Sequence, residues 1–255
     1  MGEVLAVVSQ KGGVGKTTTA VNLGAAFARR GLKTLIVDTD PQGAVRYGVG
    51  LKRGHEQHGL ADFLNGSRAL REVVLATQIP WLRVVLAGTV SDEANHDAYD
   101  RRMADTDLLG DILDTARSRC DVVVVDTPPG LGATVRRVLA HSQHVVVPLQ
   151  CEPLALQTTP QILRGLQEIV ATNEALALEG ILLTMHDPAD PMSSKVAEYV
   201  RASLPLDLIF AGEVPRTPAV VEASAAGQPV VLRDPGDAAS IAYLELAGVL
   251  RERLK

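Results

Sequence analysis

Two cysteines in 255 residues leave nothing for a disulfide framework, and Cys120 and Cys151 lack the C-x-x-C spacing of a zinc or redox site. Both are expected in the core. No apolar run approaches the roughly 18 residues that would mark a membrane span, and the first strand begins at Glu3 with no basic region or cleavage site before it. A cytoplasmic protein is expected. Positive charge is also short. The chain has 25 Lys+Arg against 30 Asp+Glu, a net charge of −5, whereas constitutive nucleic-acid binders make their phosphate contacts with an excess of lysine and arginine. From Pro128 onward there are 10 Lys+Arg against 14 Asp+Glu, although whole-chain charge does not exclude a local patch. Internal repeats, low-complexity tracts and charged blocks are absent as well. Of the six histidines, His55/His58 and His141/His144 stand at i, i+3 and can share a helical face, but neither pair has a nearby carboxylate or cysteine to complete a ligand set.

What is present is alternation. Continuous β-branched runs (EVLAVVS, TLIVD, WLRVVLA, DVVVVD, HVVVPL and GILLTM) are separated by amphipathic segments of helical length. Strands without polar alternation are buried on both faces, as in a mostly parallel sheet covered by helices. Helices are predicted over residues 16–30, 105–119, 131–140, 154–173 and 192–203. The glycine-rich segment 45–78 reads as an insertion of loop plus one or two short helices. Residues 237–255 read as a last helix packing Ile241, Leu244, Ala247 or Gly248, and Val249 to Leu250 on the sheet. The implied fold is a doubly wound α/β domain with helices on both faces, one domain over residues 1–255.

The stretch VLAVVS, then QKGGVGKTT, then a helical run is strand, glycine-rich loop and helix, the context a phosphate loop requires. Backbone N–H groups of Gly12, Gly13, Val14 and Gly15 can curl around a phosphate at the positive end of the helix. Lys16 is then expected at the β- and γ-phosphates of a nucleotide, the Thr17 hydroxyl on Mg²⁺, and Thr18 at the α-phosphate. The usual G-x-x-x-x-G-K-[ST] pattern is broken, because Gln10 stands where its first glycine belongs. Lys11 belongs to this variation. It is either a solvated loop lysine or a cation that serves the phosphate of a neighbouring subunit, as an arginine finger supplied in trans does.

KGGVGKTTT with the early lysine, VDTDPQG at 37–43 and VVVVDTPPG at 122–130 together resemble the ParA/MinD family of deviant Walker ATPases, and in particular the small ParA proteins without an N-terminal DNA-binding domain. The resemblance continues through QCEPLAL, EGILLTM and VPRTPAVVEASAAGQPV, nearly the whole chain. It implies an ATPase that uses ATP and Mg²⁺, with Lys11 acting across an ATP-sandwich homodimer. It implies that Asp40 orients or deprotonates the attacking water, although Asp40 before Pro41 is also an ordinary turn-former. Asp38 would support that loop or the Mg²⁺-bound waters. Asp126, delivered by four valines to the ligand-binding edge of the sheet, would hold Mg²⁺ through a water, or simply cap the turn before Pro128. Thr127 to Gly130 resemble the family's γ-phosphate switch. For the base, the resemblance points to Thr184, Met185, Pro215, Arg216 and Thr217, which are equally ordinary core and turn elements. With one water-positioning carboxylate and no arginine finger, slow turnover is expected, as suits a switch.

The same resemblance implies non-specific double-stranded DNA as a partner of the ATP dimer, a stimulating centromere-binding protein of the ParB type, and association with the nucleoid. Here the sequence departs from relatives: His186-Asp187-Pro188-Ala189-Asp190 and Gly236-Asp237-Ala238 stand where arginine is common. The remaining cations offered to DNA are Lys195, Arg201, Arg216 and Arg233. Three alternatives stand beside DNA segregation. One is positioning of a protein cargo. Another is a MinD-like membrane cycle, which needs an amphipathic C-terminal extension not evident after Arg251. The third is a reductase like the nitrogenase iron protein, which needs two cysteines meeting at a dimer axis, whereas Cys120 precedes the strand leading to Asp126.

Overall fold

A computed structural model describes residues 1–51, 58–90, 93–105, 107–171 and 173–254. Among the described residues eight strands form one sheet: β1 (Glu3–Val7), β2 (Thr34–Asp38), β3 (Val74–Ala76), β4 (Leu82–Val85), β5 (Val122–Asp126), β6 (His144–Gln150), β7 (Ala177–His186) and β8 (Val214–Pro215). Their order across the sheet is β3-β4-β2-β5-β1-β6-β7-β8. All neighbours are parallel except β3, which runs against β4. The expected doubly wound fold is therefore present. Its strands bury both faces: every residue of β2 and of β5 is buried.

One face carries α1 (Lys16–Arg29), with α9 (Pro218–Ala225), α10 (Val230–Arg233) and α11 (Ala238–Arg253). The other carries α2 (Leu60–Leu64), α3 (Leu70–Val73), α4 (Glu93–Asp105), α5 (Leu108–Arg117), α6 (Ala133–Ala140), α7 (Ala155–Val170) and α8 (Pro191–Ser203). Each layer closes its own apolar core, one around Phe27, Ile36 and Tyr243, the other around Met103, Leu113 and Leu139. Gly24 sets how closely α1 lies on β2, since a Cβ there would stand 2.6 Å from Ile36 Cδ1. Any side chain at this position would push the helix, and the loop that precedes it, away from the sheet.

Several expectations need correction. The helix predicted over 105–119 is two helices, α4 ending at Asp105 and α5 beginning at Leu108. The segment 45–78 does hold short helices, but it also contributes the edge strand β3. Its residues 52–57, and with them His55, lie outside the described residues. Strand β8 and helices α9 and α10 have no counterpart in the sequence reading. His141 closes α6 while His144 opens β6, so the pair shares no helical face. Cys151 is buried, but Cys120 is only half-buried at the edge of the core. The last helix is turned partly away from the expected stripe: Ala247 and Leu250 are buried and Leu244 packs on the core as expected, but Tyr243 and Leu246 are buried in place of Ile241 and Val249, which are 46% and 45% exposed. Helix α11 packs on α1 as well as on the sheet edge at β8.

Candidate nucleotide site

The loop from Val8 to Gly15 leaves β1 at the centre of the sheet, with β5 on one side and β6 on the other. Gly13 and Gly15 have φ of 80° and 86°, left-handed backbone that side-chain-bearing residues rarely adopt. Three hydrogen bonds fix the loop from neighbouring strands. Thr184 Oγ1 of β7 donates to the Val14 carbonyl at 2.8 Å, the Gly130 N–H donates to the Ser9 carbonyl at 2.8 Å, and Thr127 Oγ1 donates to the Val7 carbonyl at 2.8 Å. Thr184 thereby braces the loop. The second motif is tied in the same way, Thr39 Oγ1 donating to the Asp126 carbonyl at 2.7 Å.

Lys16 is buried at the start of α1. Thr17 Oγ1 donates to Asp126 Oδ2 at 2.7 Å, while Asp126 Oδ1 is buried without a hydrogen-bond partner among the described residues. Asp38 and Asp126 are register partners at the ends of β2 and β5, and both are fully buried. Burial, then Asp126 and Asp40, holds the Asp38 carboxyl well above the usual carboxylate range. Burial likewise raises Asp126 to about 6, opposed by Lys16 and by the Thr17 hydrogen bond. Asp38 also shapes the loop that follows: its oxygens accept the N–H groups of Asp40 at 3.2 Å and Val45 at 3.3 Å. Asp40, 8% exposed, folds into a turn of its own, Oδ1 accepting the Gln42 N–H at 3.0 Å. Such a crowd of carboxylates beside one buried lysine is short of positive charge. The unpartnered Asp126 oxygen and the Thr17 hydroxyl fit a hydrated divalent cation, which would supply that charge.

Two neighbours were not foreseen. Glu152, in the turn after β6, makes an ion pair with Lys11 Nζ, so the extra lysine is held within its own subunit. The acid was present in QCEPLAL, at the nucleotide end of a buried strand, and that placement could have flagged it. Tyr99 of α4 is buried with its hydroxyl unpartnered among the described residues, and burial together with Asp38, Asp100 and Asp40 holds its phenol well above the ordinary value. Nothing in the local sequence marked it.

Residues 2–178 match a family model described as an AAA domain. The chain is 36% identical over 259 residues to "Chromosome partitioning protein ParA" of Caulobacter vibrioides, covering 98% of this chain and 95% of that one. It is 34% identical over 248 residues to "Sporulation initiation inhibitor protein Soj" of Bacillus subtilis, covering 97% of each. The chain belongs to the ParA/MinD family of deviant Walker ATPases. Among solved structures, the cell division ATPase MinD of Pyrococcus furiosus superposes with a TM-score of 0.80 at 25% identity, covering 99% of both chains. The cobyrinic acid a,c-diamide synthase of Mycobacterium smegmatis, bound to an ATP analogue and magnesium, does so with 0.82 at 29% identity, covering 100% of this chain and 96% of that one.

Other residues that the ParA/MinD resemblance singled out are less concentrated. Met185, at the end of β7, has a left-handed φ of 53° and lies beside Gly15, its Cε 3.7 Å from where a Cβ would be. Pro215 and Thr217 are half-buried, Thr217 Oγ1 donating to Asp237 Oδ1 at 3.0 Å. Arg216 is exposed, and only its backbone N–H reaches this group, at the His186 carbonyl 2.8 Å away. Of the cations offered to DNA, Lys195, Arg216 and Arg233 are exposed. Arg201 is not free, because it pairs with Glu213, which also holds His186 Nδ1 at 2.5 Å. The acids that replace arginine are structural. Asp190 caps α8 and Asp237 caps α11, each accepting a first-turn N–H at 2.9 Å, and Asp187 Oδ1 accepts the Ala189 N–H at 2.9 Å. Cys120 lies at the far end of β5 from Asp126, as expected; the Cys151 thiol is pushed up to about 11 by burial and then by Glu213. No described helix is long and apolar enough to cross a membrane.

Proposed function

We propose that this protein is an ATP-driven switch for DNA segregation. MgATP would seat on the loop 11–18, with Lys16 on the β- and γ-phosphates and Thr18 at the α-phosphate. Thr17 and, through water, Asp126 would hold Mg²⁺, which neutralises phosphate charge when bound. Met185, Pro215, Arg216 and Thr217 would border the base. Two copies then pair face to face, Lys11 of each leaving Glu152 for the nucleotide of the other. The pair holds double-stranded DNA without sequence preference, with Lys195, Arg216 and Arg233 as contacts of the C-terminal half and Arg201 contributing only if freed from Glu213. Hydrolysis directed by Asp40 ends the pairing, and a ParB-type partner would accelerate it. Support comes from the names of the curated relatives and from one observation above all. Asp38 aims the Asp40 turn at the strand ends where Lys16, Thr17 and Asp126 converge. The cargo-positioning alternative shares all of this and differs only in what is carried.

Asp40→Ala tests the assignment. It is expected to keep ATP-dependent pairing in light scattering and to lose hydrolysis by at least a hundredfold, the scale of one acid–base contribution. An unchanged ATPase rate removes Asp40 from the mechanism.

A further inference from the structure

Of the four tyrosines, Tyr47 and Tyr199 are exposed, and the buried Tyr243 sets its hydroxyl 3.4 Å from Thr19 Oγ1. Tyr99 differs from all three. It is 4% exposed, and its hydroxyl is buried without a hydrogen-bond partner among the described residues. Its ring belongs to the apolar core that holds Leu60, Leu64, Val85 and Met103, a setting that phenylalanine would fill equally well. A hydroxyl taken out of water and left unpaired is penalised. The phenol at this place therefore points to an acceptor.

The charged groups that bear on the hydroxyl are carboxylates, Asp38 foremost, then Asp100 and Asp40. With burial they hold the phenol well above its ordinary value, so it keeps its proton and stays a donor. Asp100 is turned toward α6, accepting from Thr134 Oγ1 at 3.4 Å. Asp38 has acceptor capacity to spare. It is fully buried, and its two oxygens each accept one backbone N–H, from Asp40 at 3.2 Å and Val45 at 3.3 Å. Both bonds are long for N–H···O contacts, and a carboxylate offers about four acceptor sites. Asp126 and Asp40 beside it add only negative charge, so what this carboxylate lacks is a further donor.

The helix that carries Tyr99 is braced from two sides. Arg102 Nη1 of α4 donates to the Leu64 carbonyl at 3.2 Å, and Arg137 Nη2 of α6 donates to the Ala104 carbonyl at 3.0 Å. Helix α6 begins three residues after Gly130, the end of the segment expected to sense the γ-phosphate. One helix thus joins that segment to the neighbourhood of the Asp40 turn.

We propose that Tyr99 is a positioning residue for hydrolysis, its hydroxyl donating to the Asp38 carboxylate when MgATP is bound and so fixing the turn that carries Asp40. This role rests on the reading of Asp40 above and extends it to what aims that carboxylate. Asp38 holds the turn through the N–H groups of Asp40 and Val45, so a third donor that fixes the Asp38 oxygens also fixes the side chain two residues on. Tyr99 itself touches neither nucleotide nor attacking water. Its loss slows the chemical step and leaves ATP binding and pairing intact.

Tyr99→Phe keeps the ring and removes only the hydroxyl. Steady-state hydrolysis should show kcat lower by about tenfold, the scale of one hydrogen bond to a charged group, with KM for ATP within about twofold of wild type. The melting temperature without nucleotide should equal or exceed that of the wild type, because an unpaired buried hydroxyl is gone. Light scattering should show the same MgATP-dependent dimer for Asp40→Ala with and without Tyr99→Phe. In single-turnover hydrolysis Tyr99→Phe should add little to the loss already caused by Asp40→Ala, since both act through one turn. Full turnover in Tyr99→Phe overturns the role. So does a slowed variant that also melts lower or binds ATP more weakly, which makes the hydroxyl structural, and so does a loss repeated in full on the Asp40→Ala background. Tyr99→Phe at the wild-type rate beside an inactive Asp40→Ala leaves the switch reading standing; an Asp40→Ala that hydrolyses ATP normally defeats both.

Discussion

At the scale of single residues, Asp126 serves two ends that conflict when no cation is bound. Its burial in the sheet places it beside Thr17, and the same burial penalises its charge, raising its pKa from 3.8 to about 6. An acid whose folded pKa is raised binds more protons folded than unfolded between those two values. Its contribution to stability is therefore full below about pH 4 and falls as pH rises through about 6. By pH 7.5 the penalty is of order 3 kcal/mol, and Asp38 shifts in the same direction beside it. Asp126→Asn keeps an acceptor for the Thr17 hydroxyl and removes the charge. It should raise the melting temperature of the nucleotide-free protein at pH 7.5, with a smaller gain at pH 5, and it should forfeit the further rise that MgADP gives the wild type. Scanning fluorimetry across pH with and without MgADP checks both; a variant no more stable than wild type at pH 7.5 contradicts the assigned cost of burial.

At the scale of elements, α11 shows how a pattern can be seen and still be read on the wrong side. Ile241, Leu244 and Val249 are more apolar by type than Tyr243 or Ser240, so residue type alone selects their stripe. The helix instead buries Tyr243 at the centre of the core, its hydroxyl 3.4 Å from Thr19 Oγ1, and the rest follows at helical spacing through Leu246 and Leu250. Leu246→Ala should cost about 2–5 kcal/mol, whereas Val249→Ala should stay within about 0.5 kcal/mol, both measured by urea unfolding. Equal losses would restore the other stripe. Elsewhere the limits of the sequence are as specific. The buried strands were legible because β-branched runs have few other uses, and the phosphate loop because its glycines, lysine and threonine stand at fixed offsets. β3 and β8 were not, being three and two residues long, too short to carry a pattern. Glu152 and Tyr99 were missed because their meaning lies in contacts with Lys11 and with the Asp38 cluster, far away in sequence.

At the scale of the whole molecule, the loop joins two commitments of one lysine. Lys11 is held by Glu152 with both side chains partly exposed, 40% and 29%, and an ion pair so solvated contributes no more than about 1 kcal/mol. Such a contact can restrain the lysine in a lone subunit and still yield to a triphosphate, whose charge is greater and whose oxygens accept from an ammonium readily. Pairing of two copies would break two of these contacts. Glu152→Gln should therefore lower the dissociation constant of the dimer at saturating MgATP by about fivefold, since roughly 0.5 kcal/mol from each subunit adds to about 1 kcal/mol per dimer. Lys11→Ala should bind a labelled ATP analogue with Lys16 intact, yet remain a single subunit at saturating MgATP. Light scattering of Asp40→Ala, Asp40→Ala with Glu152→Gln, and Asp40→Ala with Lys11→Ala separates these outcomes without interference from turnover. A dimer that forms equally well without Lys11 would return that lysine to the solvated loop residue it otherwise resembles, and would leave Glu152 as an ordinary surface partner.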